Sequence, residues 1–362
     1  MNDLMTPDKI NIIPSENSKI HEIDFNNLVF GKKFSDHMFV MEFENGSWGE
    51  PLIKPYGPIQ ITPALNTLHY GQAIFEGMKA FYADDDTINI YRPKDHFERM
   101  NYSSRRMGIP ETDYETFINA LEQLIKLDHK FVPKQDQSAL YIRPFVFASD
   151  DLLAARSSTK FSYYIITSPV GAYYEEGFNP VSLTTTKDHV RAVVGGTGDV
   201  KTGGNYAASF LPAKKAEEDG YTQVLWLDAK EHKYIEEVGT MNIHFLIGDT
   251  LITPKLTGSI LGGITRRSVI ALAEEWGYNI AERRITIDEL FEASDNGTLK
   301  EVFGSGTAAV ISPVGLIHHQ GRKIDFGIDS IGEFAKRLYD EITGIQYGKV
   351  EDRHNWIHTV KV

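Results

Sequence analysis

Residues 195–209 read Gly-Gly-Thr-Gly-Asp-Val-Lys-Thr-Gly-Gly-Asn-Tyr-Ala-Ala-Ser. Lys201 stands between two pairs of glycines, and the apolar residues that follow can begin a helix. Glycine reaches positive φ and lets a ligand approach the backbone closely, so the stretch suggests a lysine on a tight loop beside a bound molecule. Solvated lysines and glycine-rich surface turns are common, so an ordinary turn remains the alternative for this stretch alone.

The composition is that of a globular protein. A length of 362 residues suggests two domains, and 41% hydrophobic and 24% charged residues are ordinary values. The net charge of −13, without a basic tract, argues against nucleic acid and anionic membranes as partners. The absence of cysteine excludes disulfides, cysteine zinc sites and a cysteine nucleophile. With a polar N-terminus and no apolar run of about 20 residues, we expect a cytoplasmic protein that does not enter membranes.

Hydrophobic periodicity predicts a mixture of strands and helices. Strands are predicted at 38–43, 87–91, 139–148, 161–167, 181–186, 223–227, 234–238, 242–247, 278–284 and 299–303. Helices are predicted at 94–107, 114–131, 206–218, 264–276, 287–293 and 329–342. The fold class is therefore α/β or mixed α+β, with two sheets.

A stretch rich in proline, glycine and acidic residues divides the chain. We predict a small N-terminal domain at 1–168, including an irregular arm over residues 1–35. A linker is predicted at 169–179 and a larger C-terminal domain at 180–362.

Two nucleotide-binding motifs are only approximated. Val200 occupies the position where a phosphate loop needs glycine before its lysine. Residues 304–309, Gly-Ser-Gly-Thr-Ala-Ala, imitate a dinucleotide fingerprint, but Val-Ile-Ser-Pro313 follows and cannot form the long helix that this motif opens. Residues 262–267, Gly-Gly-Ile-Thr-Arg-Arg, instead open an apolar helix, so free N–H groups and a threonine hydroxyl can bind an anion there.

Several polar residues have both a functional and a structural interpretation. Adjacent strand residues point to opposite faces, so only one of Glu236 and Glu237 can face a site, and we expect Glu236 to be an exposed edge-strand acid. Tyr141 and Arg143 share a strand face, where the arginine suits either a ligand carboxylate or a structural salt bridge. Surface solvation is the ordinary state of an arginine such as Arg99.

Aromatic and histidine residues leave similar alternatives. Phe30, Tyr70 and Phe75 can belong to a hydrophobic core as readily as to a pocket. His318 and His319 diverge on a strand and have no accompanying acidic ligand set, so we predict no metal site.

Taken together, the motifs resemble one enzyme family. They are Lys-x-Gly-Gly-Asn-Tyr at 201–206, Glu-Val-Gly-Thr-Met-Asn at 237–242, Gly-Ile-Thr-Arg at 263–266, Phe-Gly-Ser-Gly-Thr-Ala at 303–308, Phe-Glu-Gly-Met-Lys-Ala-Phe at 75–81 and Tyr-Ile-Arg-Pro at 141–144. In their order along the chain they are similar to the branched-chain amino acid aminotransferases, fold-type IV enzymes of class IV that use pyridoxal phosphate. The resemblance runs from about residue 28 to residue 348 and implies two domains, the larger a pseudo-barrel.

The resemblance implies a role for each cofactor-site residue. Lys201 would form a Schiff base with pyridoxal 5′-phosphate and transfer protons as the catalytic residue. Tyr206 would bond the 3-oxygen of the cofactor ring, and Glu237 would hold the ring nitrogen protonated. The remaining implied cofactor ligands, mostly at the phosphate, are Arg99, Thr240, Ile264, Thr265 and Thr307.

The implied substrates are branched-chain amino acids, glutamate and the matching 2-oxo acids. Thr307 and Ala308 would bind the α-carboxylate with Tyr70 nearby, and Arg143 would meet the γ-carboxylate of glutamate. The implied apolar pocket comprises Phe30, Phe75, Tyr141 and Thr240. The resemblance also implies a homodimer, in which Leu153 and Ala155 of the partner subunit close the pocket and the linker gates it.

One departure and several alternatives qualify the resemblance. The animal enzymes carry a cysteine pair where this chain has Ala309 and Ser312, so we predict no thiol switch. The small Ala155 leaves the preference among leucine, isoleucine and valine open. A D-amino acid aminotransferase, an aminodeoxychorismate lyase and a non-catalytic cofactor-binding protein remain alternatives.

Overall fold

The computed structural model describes residues 10–84, 86–171, 178–327 and 331–362. The chain forms two compact units, Met1–Tyr173 with Gly344–Val362, and Tyr174–Thr343. Each unit is built on its own sheet, which confirms the prediction of two sheets. Most of the predicted linker, residues 172–177, lies outside the described residues.

The described strands of the first unit form one mainly antiparallel sheet in the order β1-β4-β2-β9-β8-β6-β7-β19, with β3 on β2 and β5 on β8. They are β1 Asn11–Ile12, β2 His37–Glu44, β3 Ser47–Trp48, β4 Leu52–Pro55, β5 Ala73–Phe75, β6 Met78–Asp84, β7 Thr87–Tyr91, β8 Ala139–Ala148, β9 Phe161–Val170 and β19 Ile357–Lys361. The helices are α1 Asn66–Tyr70, α2 Pro93–Met107 and α3 Tyr114–Asp128, with 3₁₀ turns at Ile20–Glu22 and His129–Phe131.

Local signals place the two long helices of the first unit. Pro93 opens α2, where its fixed φ is favourable, and Gly108 ends it in the left-handed conformation. The side chain of Asp113 caps α3 by accepting a hydrogen bond from the Thr116 N–H at 2.8 Å. Apolar residues of both helices pack in one core with one face of the sheet, including Met100, Phe117 and Leu121 from the helices and Phe39 and Ile142 from the strands.

The domain prediction is wrong at the C-terminal end. Residues Gly344–Val362 belong to the first unit, because β19 pairs antiparallel with β7 from Ile357↔Tyr91 to Lys361↔Thr87. The pairing satisfies backbone groups that would otherwise form an open sheet edge, and such a long-range partner leaves no local signal in the sequence. The predicted irregular arm also contains β1, which pairs in parallel with β4.

The second unit closes its strands into a ring. The described strands are β10 Val181–Thr185, β11 Gln223–Leu227, β12 Ile235–Val238, β13 Met241–Ile247, β14 Thr250–Thr253, β15 Asn279–Glu282, β16 Leu299–Gly306, β17 Val310–His319 and β18 Arg322–Asp325. Their order is β12-β11-β10-β17-β16-β13-β14-β15, and a further pairing of β12 with β13 closes the first six strands on themselves. This ring agrees with the pseudo-barrel implied by the sequence resemblance.

The helices beside this sheet are α4 Gly203–Glu218, α5 Ile264–Glu275, α6 Ile287–Asp295 and α7 Glu333–Gln346, the last of which continues past Thr343, where the second unit ends. The strand assumed for His318 and His319, for which no bounds were predicted, is β17, and it contains Pro313, a residue that is uncommon in central strands. Its register against β10 is irregular close to the proline, between Val181↔Val314 and Ser182↔Leu316. Within the described ranges, none of the helices has the length and apolar character needed to cross a bilayer.

Candidate active site

The Lys201 loop is held by the first turn of α4. The buried Asn205 side chain donates to the carbonyls of Thr197 at 2.7 Å and Val200 at 2.8 Å, and it accepts from the Thr197 hydroxyl at 2.9 Å. Lys201 Nζ lies 2.7 Å from Tyr206 Oη. The structure therefore brings together two residues that the sequence assigned to one site.

The structure explains the glycines around Lys201 in different ways. A Cβ at Gly198 would stand 2.4 Å from the Ser259 carbonyl oxygen, so packing excludes any side chain there. Gly195 has φ +82°, a left-handed conformation that favours glycine. A Cβ at Gly203 or Gly204 would meet no protein atom within 4 Å. Packing within the chain therefore does not require the second pair, and their role beside a ligand stays a prediction.

Glu237 is a buried carboxylate at the centre of a polar network. Its Oε1 accepts from Asn242 Nδ2 at 3.1 Å, and its Oε2 forms an ion pair with Arg191 Nε. Arg191 Nη2 also donates to the carbonyls of Gly198 at 2.7 Å and Ser259 at 2.6 Å. Burial raises the pKa of Glu237 to about 7, against the opposing charges of Arg191 and Lys201. Arg191 thus ties this carboxylate to the lysine loop, and sequence reasoning missed it.

The expectation that Glu236 is an exposed edge-strand acid is wrong. Glu236 is 6% exposed, and its Oε1 accepts from the Ser259 hydroxyl at 2.5 Å. Strand β12 lies between β11 and β13, so it is not an edge. Its register against β11 shifts between Trp226 and Leu227, and an irregular register breaks the simple alternation of faces on which the expectation depended.

The start of α5 lies next to the Glu237 network. A Cβ on its N-cap, Gly263, would come within 2.0 Å of Asn242 Oδ1, and Asn242 Nδ2 donates to the Leu261 carbonyl at 2.8 Å as well as to Glu237. No side chain caps this helix, which leaves first-turn N–H groups such as those of Ile264 and Thr265 for an anion. Arg266 does not serve this end, since its Nη2 donates to the Glu282 carboxylate at 2.7 Å and to the Pro254 carbonyl at 3.0 Å.

Two turns between strands of the second unit carry further predicted site residues. Thr240 lies in the two-residue turn from β12 to β13, and Thr307 and Ala308 lie in the turn from β16 to β17. Since Asn242 pairs with Ser305, both turns are at the same end of the ring of strands. Val310 closes the second turn at φ +62°, a conformation that is rare for a β-branched residue and costs free energy.

Arg99 in the first unit is buried, not solvated on the surface. Its Nε and Nη2 donate to the two carboxylate oxygens of Glu76 at 2.7 and 2.9 Å, and His96 Nδ1 lies 2.8 Å from Glu76 Oε2. Burial opposes the ionisation of Glu76, but the charge and hydrogen bonds of Arg99 and the hydrogen bond of His96 keep its pKa well below the usual range. This buried pair, which the sequence did not reveal, fixes the plane of the guanidinium.

Replacing Glu76 with alanine is expected to lower the free energy of unfolding by about 3 to 5 kcal/mol, because Arg99 would keep a buried charge without its carboxylate. Denaturant unfolding of the cofactor-free protein measures this. Glu111→Ala is the control, because it breaks an exposed ion pair between Glu111 and Arg105, a residue of the helix that carries Arg99. It should change stability by less than about 1 kcal/mol, and similar losses in both variants would contradict a buried pair.

Tyr141 and Arg143 share a face of β8, as predicted. Arg143 Nη2 donates to Tyr141 Oη at 3.0 Å, and the guanidinium lies 4.7 Å from the centre of the Phe75 ring. Phe30 contacts Tyr141 edge to face, with ring centres 4.9 Å apart. A Cβ at Gly77 would lie 1.9 Å from Tyr141 Oη, so only glycine fits beneath that hydroxyl. The described contacts of Arg143 are therefore with aromatic residues rather than with a structural carboxylate.

Sequence reasoning also missed a lysine on this face. Lys79 pairs with Tyr141 across β6 and β8, and directly opposed residues of an antiparallel pair point to the same face. Its side chain is buried, and burial lowers its pKa to about 8. The other predicted substrate residues of this unit, Tyr70, Leu153 and Ala155, are exposed.

Comparison with known proteins identifies the family of this chain. Residues 73–317 match the family model for amino-transferase class IV. The chain is 49% identical over 334 residues to the branched-chain-amino-acid aminotransferase 2 of Bacillus subtilis, covering 92% of both chains. The branched-chain amino acid aminotransferase structure of Escherichia coli has a TM-score of 0.72 and 26% identity, over 90% of this chain and 99% of that one. The T.th. branched-chain amino acid aminotransferase, solved with pyridoxamine 5′-phosphate, has a TM-score of 0.69 and 25% identity, over 88% and 97% of the two chains.

The chain therefore belongs to the class IV aminotransferases. Within that class it is a member of the branched-chain amino acid aminotransferase family, with the fold-type IV architecture. The resemblance recognised in its motifs is confirmed.

Proposed function

We propose that this branched-chain amino acid transaminase moves the amino group of leucine, isoleucine or valine to 2-oxoglutarate, using pyridoxal 5′-phosphate carried on Lys201. The observation that supports it best is the contact of Lys201 with Tyr206 in the same unit as the buried Glu237 and an uncapped helix start. When bound, this cofactor supplies an electron sink for the charge left at the substrate Cα.

The residues of the second unit fit the separate parts of such a cofactor. Glu237 is a buried acceptor suited to keep a ring nitrogen protonated, and Tyr206 has a hydroxyl for the ring 3-oxygen. The amides of Ile264 and Thr265 suit a phosphate, because they start a helix without a side-chain cap. Thr240, Thr307 and, from the first unit, Arg99 are the further proposed ligands. Lys201 would take the proton from substrate Cα, which requires its amine to be neutral at that step.

We propose the substrate contacts that the family resemblance implies, and the chemistry of each group suits its contact. The Thr307 and Ala308 amides, with Tyr70, suit the α-carboxylate, which every substrate carries. Phe30, Phe75, Tyr141 and Thr240 offer apolar surface to a branched side chain. Arg143 suits the γ-carboxylate of glutamate, because its guanidinium lies beside aromatic rings and makes no described ion pair.

Replacing Arg143 with glutamine is expected to raise KM for 2-oxoglutarate by about 10- to 100-fold, the value of one charge-assisted hydrogen bond. KM for leucine should change by less than about threefold, since leucine brings no second carboxylate. Steady-state kinetics with each substrate varied in turn measure both values. Arg105→Gln, which removes an exposed arginine of α2, should leave both unchanged. Equal increases for leucine and 2-oxoglutarate would contradict the assignment.

We further propose a homodimer in which Leu153 and Ala155 of the second copy complete the pocket. Exposed apolar side chains support it: Leu68 is 59% and Leu153 66% exposed in the first unit, and Val194 is 70% and Phe210 66% exposed in the second. A second copy that covered these side chains would remove their apolar surface from water, which favours association. Sedimentation equilibrium should give twice the mass of one chain, and a monomer would contradict the proposal. The cytoplasmic location stays a prediction.

One absorbance experiment tests the proposed activity. Protein purified with pyridoxal phosphate should be yellow, bleach on addition of L-leucine and recover its colour with 2-oxoglutarate. A response to D-amino acids or aminodeoxychorismate alone would favour the other activities of this fold. A protein that stays colourless after reconstitution would overturn the proposal for the cofactor.

A further inference from the structure

Glu236 is a buried acid for which the proposed function has no role. It adjoins Glu237 in β12, where the register against β11 passes from Trp226↔Glu237 to Leu227↔Ile235 and leaves Glu236 without a partner residue in β11. An extra residue of this kind in an antiparallel pair forms a bulge, and bulges redirect side chains beside functional sites. Both acids are less than 10% exposed.

Both carboxylates connect to the same guanidinium. The Ser259 hydroxyl donates to Glu236 Oε1 at 2.5 Å, and the Ser259 carbonyl accepts from Arg191 Nη2 at 2.6 Å. Arg191 Nε pairs with Glu237, and Nη2 also donates to the Gly198 carbonyl in the lysine loop. Ser259 is buried, and a Cβ on Gly198 would lie 2.4 Å from its carbonyl oxygen. The contacts form a continuous chain from Glu236 through Ser259 and Arg191 to Glu237.

We infer that Glu236 is a positioning residue, which through Ser259 holds Arg191 between the lysine loop and Glu237. The inference rests on the proposed function, since it assigns Glu236 to the support of the carboxylate that would face the ring nitrogen. Glu236 Oε2 is buried without a hydrogen-bond partner among the described residues, so the described hydrogen bond of this carboxylate is the one from Ser259 to Oε1.

Glu236 also has an electrostatic effect, on the pKa of Glu237. The charged groups that act on Glu236 are Arg191, Asp228 and Arg284, while those that act on Glu237 are Arg191, Lys201 and Glu236 itself. Burial raises the pKa of both acids, and the negative charge of Glu236 raises that of Glu237 further. Glu236 therefore holds the Arg191 network in place and at the same time makes Glu237 easier to protonate.

Two substitutions separate these effects. Glu236→Gln keeps an oxygen that accepts from Ser259 but removes the charge, whereas Glu236→Leu removes both. In the cofactor-free protein, followed by ¹³C NMR of labelled glutamate, Glu236→Gln should lower the titration midpoint of Glu237 by about one pH unit. Glu231→Gln, which removes an exposed acid close to Arg284, should not shift it. An unchanged midpoint in Glu236→Gln would refute the electrostatic effect.

The positioning effect is measured in the enzyme reconstituted with pyridoxal phosphate. Glu236→Leu should weaken cofactor binding about tenfold and lower kcat with KM for leucine unchanged, and Glu236→Gln should restore both to within about threefold of wild type. Ser259→Ala also breaks the hydrogen bond between Ser259 and Glu236, so it tests the same effect if Glu236→Leu does not fold. It should show the losses expected for Glu236→Leu. Wild-type cofactor affinity in both Glu236→Leu and Ser259→Ala would overturn the inference. If the wild-type protein itself bound no cofactor, the proposed function would fail, and the NMR titration would still test the coupling of the two acids.

Discussion

Replacing Lys201 with alanine is expected to reduce transamination by about 10⁴-fold or more, because the enzyme loses its covalent attachment to the cofactor and its proton-transfer group together. The loss should be chemical rather than structural, since the Lys201 side chain is only half-buried and the loop is held by Asn205. Single-turnover measurements with L-leucine, followed by the cofactor absorbance, give the rate directly.

The site of attachment can be tested in the same variant. Borohydride reduction should fix the cofactor to the wild-type protein at Lys201 and fail to fix it to Lys201→Ala. Lys214→Ala is the matched control, because Lys214 is an exposed lysine of α4 whose ion pair with Glu218 spans 3.7 Å. It should retain both activity and covalent trapping. Continued trapping in Lys201→Ala would place the attachment on another lysine.

Replacing Glu237 with alanine is expected to lower kcat by about 10²- to 10³-fold, the cost of removing one preorganised electrostatic partner from a buried site. Without this carboxylate the ring nitrogen would lose the group that keeps it protonated, and Arg191 would lose its counter-ion. Glu236→Ala should cost only about tenfold, because Glu236 acts through Ser259 and Arg191. Equal losses in the two variants would remove the distinction between these adjacent acids.

The stability of the cofactor-free protein should carry a pH signature of Glu237. Its folded pKa of about 7 lies above the ordinary value of 4.5, so between these pH values the folded protein keeps a proton that the unfolded chain has released. The contribution of Glu237 to the free energy of unfolding therefore falls as pH rises from 4.5 to 7, by about 3 kcal/mol. Denaturant unfolding of wild type and Glu237→Gln at several pH values measures this difference. A difference that stays constant with pH would contradict the raised pKa.

Several elements could be predicted because their signals are local. The strands at 139–148 and 223–227 agree with β8 and β11 at both ends, and the helices predicted from 94 and 264 agree with α2 and α5 to within one residue. Proline at the start of α2 and glycine at its end are short-range signals of this kind. The bounds of β17 were not predicted, and β19 was missed because its partner β7 lies far away in the sequence.

The site was predictable to the extent that its residues belong to motifs. The glycine-rich stretch pointed to Lys201 and the family resemblance to Tyr206, and the structure places their side chains in contact. Arg191 has no motif around it, and only its contacts with Glu237 and Gly198 bring it to the site. Glu76 lies inside a recognised motif, but its bond to Arg99 joins residues 23 positions apart and has no local signal.

The sequence by itself determined the family and the two-sheet mixed fold, and it singled out the lysine of the glycine-rich stretch as a candidate, because these depend on residue order and short-range periodicity. Only the tertiary structure decided the environment of the charges. It placed the C-terminal strand in the first unit, buried Glu236 beside a register shift and directed Arg191 to Glu237. The physical reason is that burial and charge pairing depend on residues distant in the chain, and these interactions set the pKa of a carboxylate.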